Sequence, residues 1–319
     1  HDGRPALASA VVVVPDGLRD APVIAYAHGT TGIARGCAPS VFDDPFPNVP
    51  GFPALLAEGW AYVATDYPGL GTPGGHAYLV GQDAAQAVLD SIRAARQLEE
   101  AALGVPTVVW GHSQGGHSAL WTGQQAASYA PEVSLRGVAA VAPASALPRL
   151  LLAGQGNPFG KIVSAYAVAA YAEAYPGLDP SADVRPGARL LARDMAGRCV
   201  GRLPALVSVA TGALLPAEGI FADSIATSDF GAALADNVPR GPVEAPLLIA
   251  QGEADDLVSP AVQADYVAGL CEAGQPVDYR RYAGRDHISV VAPDSPFVAD
   301  LIAWTRARLA GEAPTASCP

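Results

Sequence analysis

Three observations predict an α/β fold built on a mostly parallel sheet with helices on both faces. Short apolar runs alternate with amphipathic stretches along most of the chain. The 319 residues suffice for one large domain with an insertion. Half of the residues are hydrophobic and only 16% are charged, so a sizeable core can form and disorder is excluded.

The elements follow in order. Residues 8–14 and 23–27 read as strands, 54–58 as a short helix and 61–65 as a strand. Residues 78–103 form a long helical pattern, with Ala84, Val88, Ile92 and Ala95 at three- and four-residue steps. A buried strand at 107–110, a helix at 115–129 and a strand at 138–142 continue the rhythm. It resumes with a strand at 247–250, a helix at 260–273, a strand at 277–282 and a closing helix at 295–309. Between them, residues 145–245 are rich in Ala, Pro and Gly and hold helical pieces such as 161–174 without strand–helix alternation. The chain therefore divides into a first core part (1–144), an inserted helical cap (145–245) and a second core part (246–319). At the start, Asp2-Gly3 has the composition of a hairpin turn, so a preceding strand and a secretory leader are expected upstream of His1.

Charge excludes one class of partner. The net charge is −12, and Lys161 is the only lysine. An acidic chain without a basic cluster cannot supply the phosphate neutralisation behind nucleic-acid affinity. No apolar run reaches the roughly 20 residues of a membrane-spanning helix. The four cysteines form no C-x-x-C pair, which argues against a zinc site, and no metal or cofactor is expected. An even number suits two disulfides and an oxidising compartment.

The chemistry concentrates in Gly111-His112-Ser113-Gln114-Gly115, a G-x-S-x-G motif set directly after a strand and before a helix. In such a turn the positions two before and two after the serine pass so close that only small side chains fit. The helix then starts at the serine, with its first N–H groups aimed at the reacting atom. Ser113 is the candidate nucleophile, and the Gln114 backbone N–H a candidate oxyanion donor.

A serine hydroxyl needs a base, and the base a carboxylate, in the chain order Ser, Asp/Glu, His. His287, in the loop after the strand at 277–282, is the only histidine beyond His117 and is the candidate base. His117 lies on the same helix as Ser113 and reads as a packed side chain. After the strand at 247–250 three carboxylates compete: Glu253, Asp255 and Asp256. Asp255, three residues after Gly252, has the favoured spacing. Asp256 is expected to point outward and cap the next helix. The second oxyanion donor is expected from His28-Gly29-Thr30-Thr31-Gly32, where the Thr30 N–H can turn toward the serine and His28 braces the loop.

With HGTTG (28–32), DYPGLGTPG (66–74), GHSQGG (111–116), GEADDLVSP (252–260) and GRDH (284–287) in this order, the sequence resembles the α/β-hydrolases, and more closely the microbial secretory lipase family. The resemblance implies an eight-stranded sheet, a helical cap after the sixth strand, secretion and hydrolysis of carboxylic esters, from lipids to short-chain substrates. A serine peptidase or amidase is the enzymatic alternative. A non-catalytic binding protein on the same fold is the alternative of another class. A monomer is favoured.

Topology then selects one of three cysteine pairings. Cys37, after the oxyanion loop, and Cys199, in the cap, belong at the carboxyl edge of the sheet. Cys271, at the end of a helix, and Cys318, beyond the final helix, belong at the opposite edge. The expected bonds are Cys37–Cys199 and Cys271–Cys318.

Overall fold

The computed structural model describes all residues except Pro47, Gly201, Ala217 and Pro319. Those residues fall within the cap and the two core parts expected from the sequence and lie outside the described residues. Seven strands form one sheet in the order β1-β3-β2-β4-β5-β6-β7. They are β1 (Ala10–Val13), β2 (Ala21–Ala27), β3 (Ala61–Thr65), β4 (Leu103–His112), β5 (Leu135–Val141), β6 (Leu247–Gly252) and β7 (Asp278–Tyr282). Only β1 is antiparallel, pairing Ala10 with Thr65 of β3 at the edge. The described residues thus carry seven strands where the resemblance implies eight. Residues 1–9 form no strand.

Central strands of a parallel sheet are covered on both faces, which is why they read as unbroken apolar runs. In β4, Val109 points into a core packed by α2 (Gly81–Ala95), α3 (Gln114–Tyr129) and α9 (Pro260–Glu272). Its neighbours Val108 and Trp110 point into the opposite core with α1 (Phe52–Ala57) and α10 (Pro296–Leu309). The Trp110 indole N–H donates to Thr305 of α10 at 3.0 Å.

Among the described residues five α-helices lie between β5 and β6: α4 (Leu147–Ala153), α5 (Pro158–Ala174), α6 (Arg189–Ala196), α7 (Arg202–Ala213) and α8 (Asp229–Asp236). They enclose an apolar core of their own, with Ile162, Tyr166, Tyr171, Met195 and Phe230 at its centre. Local chemistry sets several helix starts. Asn157 and Ser295 accept the second backbone N–H of α5 and α10, each with proline at the first helical position.

The long helix expected over 78–103 is shorter. It begins at Gly81 and ends at Ala95, a 3₁₀ turn follows at Glu99–Ala101, and Leu103 already belongs to β4. Leu79 sits at φ +60°, outside the helical region. Tyr78, Leu79 and Val80 are apolar because they pack into the cap core. Their periodicity reports tertiary burial.

The strand order creates the site. From β2 the chain passes to β3 on one side, and from β4 to β5 on the other. The order reverses between β2 and β4, the switch point at whose strand ends open α/β sheets bind ligands.

Candidate active site

Ser113 follows the last residue of β4 and precedes the first of α3. Its backbone has φ +58° and ψ −118°, a conformation that L-residues avoid and surroundings must enforce. The enforcement is close approach. A Cβ on Gly111 would lie 2.0 Å from the Gly115 carbonyl oxygen, and one on Gly115 would lie 1.8 Å from that of Ala27. Glycine at both positions lets strand, helix and the neighbouring β2 end touch. Ser113 N–H donates to Val141 O at 3.0 Å, tying the turn to β5.

The candidate side chains, distant in sequence, meet here. Ser113 Oγ lies 2.9 Å from His287 Nε2. His287 Nδ1 lies 2.8 Å from Asp255 Oδ2. With Nδ1 donating to the carboxylate, Nε2 presents its lone pair to the serine hydroxyl. Asp255 is buried, and every oxygen has a donor. Oδ1 accepts from the Leu257 and Val258 N–H groups at 2.9 and 2.8 Å, and Oδ2 also accepts from Gln251 Nε2 at 3.0 Å.

The two competing carboxylates lie elsewhere. Glu253 and Asp256 are exposed, and Glu253 reaches Arg281 at 3.6 Å. Asp256 does not cap α9: the N-cap residue is Ser259, with no side-chain hydrogen bond. Pro260 at the first helical position already removes one of the donors that a cap would satisfy.

The expected oxyanion segments also come together. A Cβ on Gly29 would lie 3.8 Å from the Ser113 Cβ, which places Thr30 beside the nucleophile. Gln114 opens α3, whose first N–H groups have no partner within the helix. His28 braces this loop through its Nδ1, 2.7 Å from Gly29 O, and its ring lies 4.6 Å from that of Tyr67. Burial lowers its pKa. His117 is fully buried with Nε2 2.7 Å from Asn237 O, and burial pushes its pKa down to about 4. A neutral His117 donates that hydrogen bond.

Two residues near the relay were not singled out from the sequence. Gln251, the polar residue inside the apolar β6 run Leu-Leu-Ile-Ala-Gln-Gly, donates to Asp255. Its sequence signal is a polar residue near the end of an otherwise apolar strand run. His112, the variable residue before Ser113, has Nε2 2.9 Å from the His287 carbonyl oxygen. Burial, then the adjacent His287 ring, pushes its pKa down to about 3, so the neutral ring donates and pins the loop carrying His287.

The sulfur pairs are Cys37–Cys199 and Cys271–Cys318. The first presses on the loop after β2: a Cβ on Gly32, at φ +127°, would lie 2.6 Å from Cys37 Sγ. Val200 N–H, next to Cys199, donates to Thr31 O at 2.7 Å. The second holds the C-terminal segment against α9, and Ser317 N–H adds a 2.8 Å bond to Val277 O. Among the described residues, no three His, Cys, Asp or Glu side chains converge as a metal site would require, and no helix is long and apolar enough to cross a membrane.

A mostly parallel sheet with a serine elbow between β4 and α3 defines an α/β-hydrolase fold. A family model described as secretory lipase matches residues 52–317, and the chain belongs to the secretory lipase family. A probable inactive lipase of Mycobacterium tuberculosis is 27% identical over 97% of this chain and 71% of that protein. A secreted triacylglycerol lipase of Malassezia furfur is 29% identical over 44% of this chain but only 38% of its own length. Among solved structures, Candida antarctica lipase A matches with TM-score 0.75 at 19% identity, over 98% of this chain and 75% of that one. A ligand-bound form of the rice cell wall degrading esterase LipA from Xanthomonas oryzae matches with TM-score 0.77 at 20% identity, over 98% and 88%.

Proposed function

We propose that the protein is a secreted serine hydrolase of carboxylic esters that works through an acyl-enzyme. The observation that carries the proposal is the unbroken relay of 2.9 and 2.8 Å contacts from Ser113 through His287 to Asp255. Ser113 Oγ attacks the ester carbonyl carbon while His287 Nε2 takes its proton. Asp255, an acceptor on both oxygens, holds the ring orientation and stabilises the imidazolium. The Thr30 and Gln114 N–H groups receive the developing oxyanion. Collapse expels the alcohol, protonated by His287. Water, deprotonated by the same nitrogen, then attacks the acyl carbon and releases the acid and Ser113.

The cap supports an acyl chain over a peptide. Its core is apolar, and Leu152, Phe159 and Leu190 add exposed apolar surface. Two disulfides and the secretory family support an extracellular site of action. The division into two core parts (1–144 and 246–319) and a cap (145–245) fits five helices inserted between two adjacent strands.

One observation favours a different reading: the relative matched over 97% of the chain is a probable inactive lipase. Hydrolysis of a p-nitrophenyl ester panel from acetate to palmitate, by wild type and Ser113→Ala, separates the two. Turnover that falls about 10⁴- to 10⁶-fold in the variant supports the hydrolase. Wild-type rates equal to those of Ser113→Ala reject it.

A further inference from the structure

The two residues assigned as oxyanion donors are held by one short segment outside the relay. Tyr78 OH lies 2.8 Å from Thr30 Oγ1. Two residues earlier, His76 Nε2 lies 3.0 Å from Gln114 Nε2. We propose that His76 and Tyr78, on the loop leading into α2, are positioning residues that clamp Thr30 and Gln114 and so fix the spacing of the oxyanion hole. The proposal rests on the hydrolase function above.

Several independent features support a clamp. His76 Nδ1 is 3.2 Å from Pro68 O, and that carbonyl can only accept, so Nδ1 carries the proton. Nε2 is then a lone pair, which selects the donating NH₂ of Gln114 as its partner. The assignment agrees with a buried imidazole that stays neutral to about pH 3. Gln114 Oε1 is buried and meets no donor among the described residues, so this bond is what orients the Gln114 side chain. Tyr78 is buried in the same way, and burial keeps its hydroxyl protonated.

The segment is itself rigidly held. Tyr78 N–H donates to His76 O at 2.8 Å, closing a tight turn between the two clamping residues. The His76 ring stacks on Tyr67 at 5.6 Å, and Tyr67 OH reaches His28 O of the oxyanion loop at 3.2 Å. On its other side Tyr78 meets the edge of Tyr166 from cap helix α5 at 5.9 Å. Leu79 O accepts from Tyr171 OH at 3.0 Å, and Gly81 N–H donates to Asn237 Oδ1 at 2.8 Å. The clamp is therefore anchored to the sheet edge and to the cap at once.

An oxyanion hole acts only if its donors are in place before the charge appears, and a displacement of about 1 Å can cost on the order of 10²-fold. Loosening the clamp should lower transition-state binding and leave substrate binding almost unchanged. The test uses Tyr78→Phe, Gln114→Leu, Thr30→Val and Thr30→Ser in the full chain, with wild type labelled by a fluorophosphonate as control. The readouts are kcat, KM and affinity for an alkyl boronic acid, whose serine adduct is tetrahedral. Tyr78→Phe, Thr30→Val and Gln114→Leu should each lose about tenfold in kcat and in boronate affinity, with KM within about twofold. Tyr78→Phe combined with Thr30→Val should be no worse than the worse single, since both break one contact. Thr30→Ser should restore the rate. Unchanged kcat in both Tyr78→Phe and Gln114→Leu, with wild type active and labelled, overturns the clamp alone. So does a loss confined to KM. A wild type that neither labels nor turns over overturns the hydrolase function and the clamp with it.

Discussion

The sheet edge and the cap solve different problems with different means. At the sheet edge, every relay residue follows a strand closely: Ser113 directly after β4, Asp255 three residues after β6, His287 five after β7. Hydrogen bonds to backbone lock each one, as with the two N–H groups on Asp255 and the His112 bond to His287 O. Among the described residues of the helical insertion, strand pairing is limited to one bridge between Val184 and Phe221. The insertion is held by an apolar core, by Cys37–Cys199 and the Val200–Thr31 bond near the loop after β2, and by Tyr171 and Asn237 on residues 79–81. In the proposed enzyme, chemistry needs sub-ångström placement, which strand ends would provide, and enclosing a substrate needs shape and apolar surface, which packed helices would provide.

The sharpest way to break this division is at the carboxylates after β6. Asp255→Ala should lose about 10⁴-fold in kcat, because the imidazole loses both its orientation and its counter-charge. Asp256→Ala, one residue away but exposed, should stay within about threefold. Steady-state rates on a single ester decide, and equal losses would erase the distinction between strand-locked and exposed positions.

The disulfides compare the two regions directly. Loop-entropy arguments give upper values of about 5 kcal/mol for Cys37–Cys199 and about 4 kcal/mol for Cys271–Cys318, with separations of 162 and 47 residues. Cys37→Ser/Cys199→Ser should lower both the denaturation midpoint and kcat, since the bond packs on Gly32 of the oxyanion loop. Cys271→Ser/Cys318→Ser should lower the midpoint and leave kcat intact. Denaturant titration beside rate measurement separates them.

A smaller effect comes from acid. His76, His112 and His117 are held neutral by burial, with pKa values pushed to about 3, 3 and 4. An unfolded histidine titrates near 6.5. Below that pH the unfolded chain binds protons that the fold excludes, so stability is full above about pH 6.5 and declines as pH falls toward 4. All three lie around the elbow. Hydrogen-exchange protection should therefore weaken in α3 before α5 on acidification. A cap that opens first would contradict this.

The contrast also explains what the sequence could tell. The relay is legible because its constraints are local. Gly111 and Gly115 flank Ser113 at fixed steps, and Asp255 and His287 each follow a recognisable strand. The strands are legible because both faces of the sheet are buried. The start of α2 was not, because Tyr78, Leu79 and Val80 owe their apolar character to cap helices about 90 residues further along. Gln251, His76 and Tyr78 matter through partners that only the fold supplies. Nothing in the spacing from His76 to Gln114 announces a 3.0 Å contact. The exposed Asp256 shows the converse: a carboxylate before a helix resembles a cap until Pro260 and Ser259 take that place.

The most direct test of the central claim is covalent labelling. The protein with its disulfides intact would be titrated with a fluorophosphonate while esterase activity is followed, and the adduct located by peptide mass spectrometry. The account predicts one adduct per chain, on Ser113, with activity lost in proportion to labelling, and none in Ser113→Ala or at a comparable rate in His287→Ala. Absence of an adduct on the wild type, or an adduct on another residue with Ser113 unmodified, would contradict it.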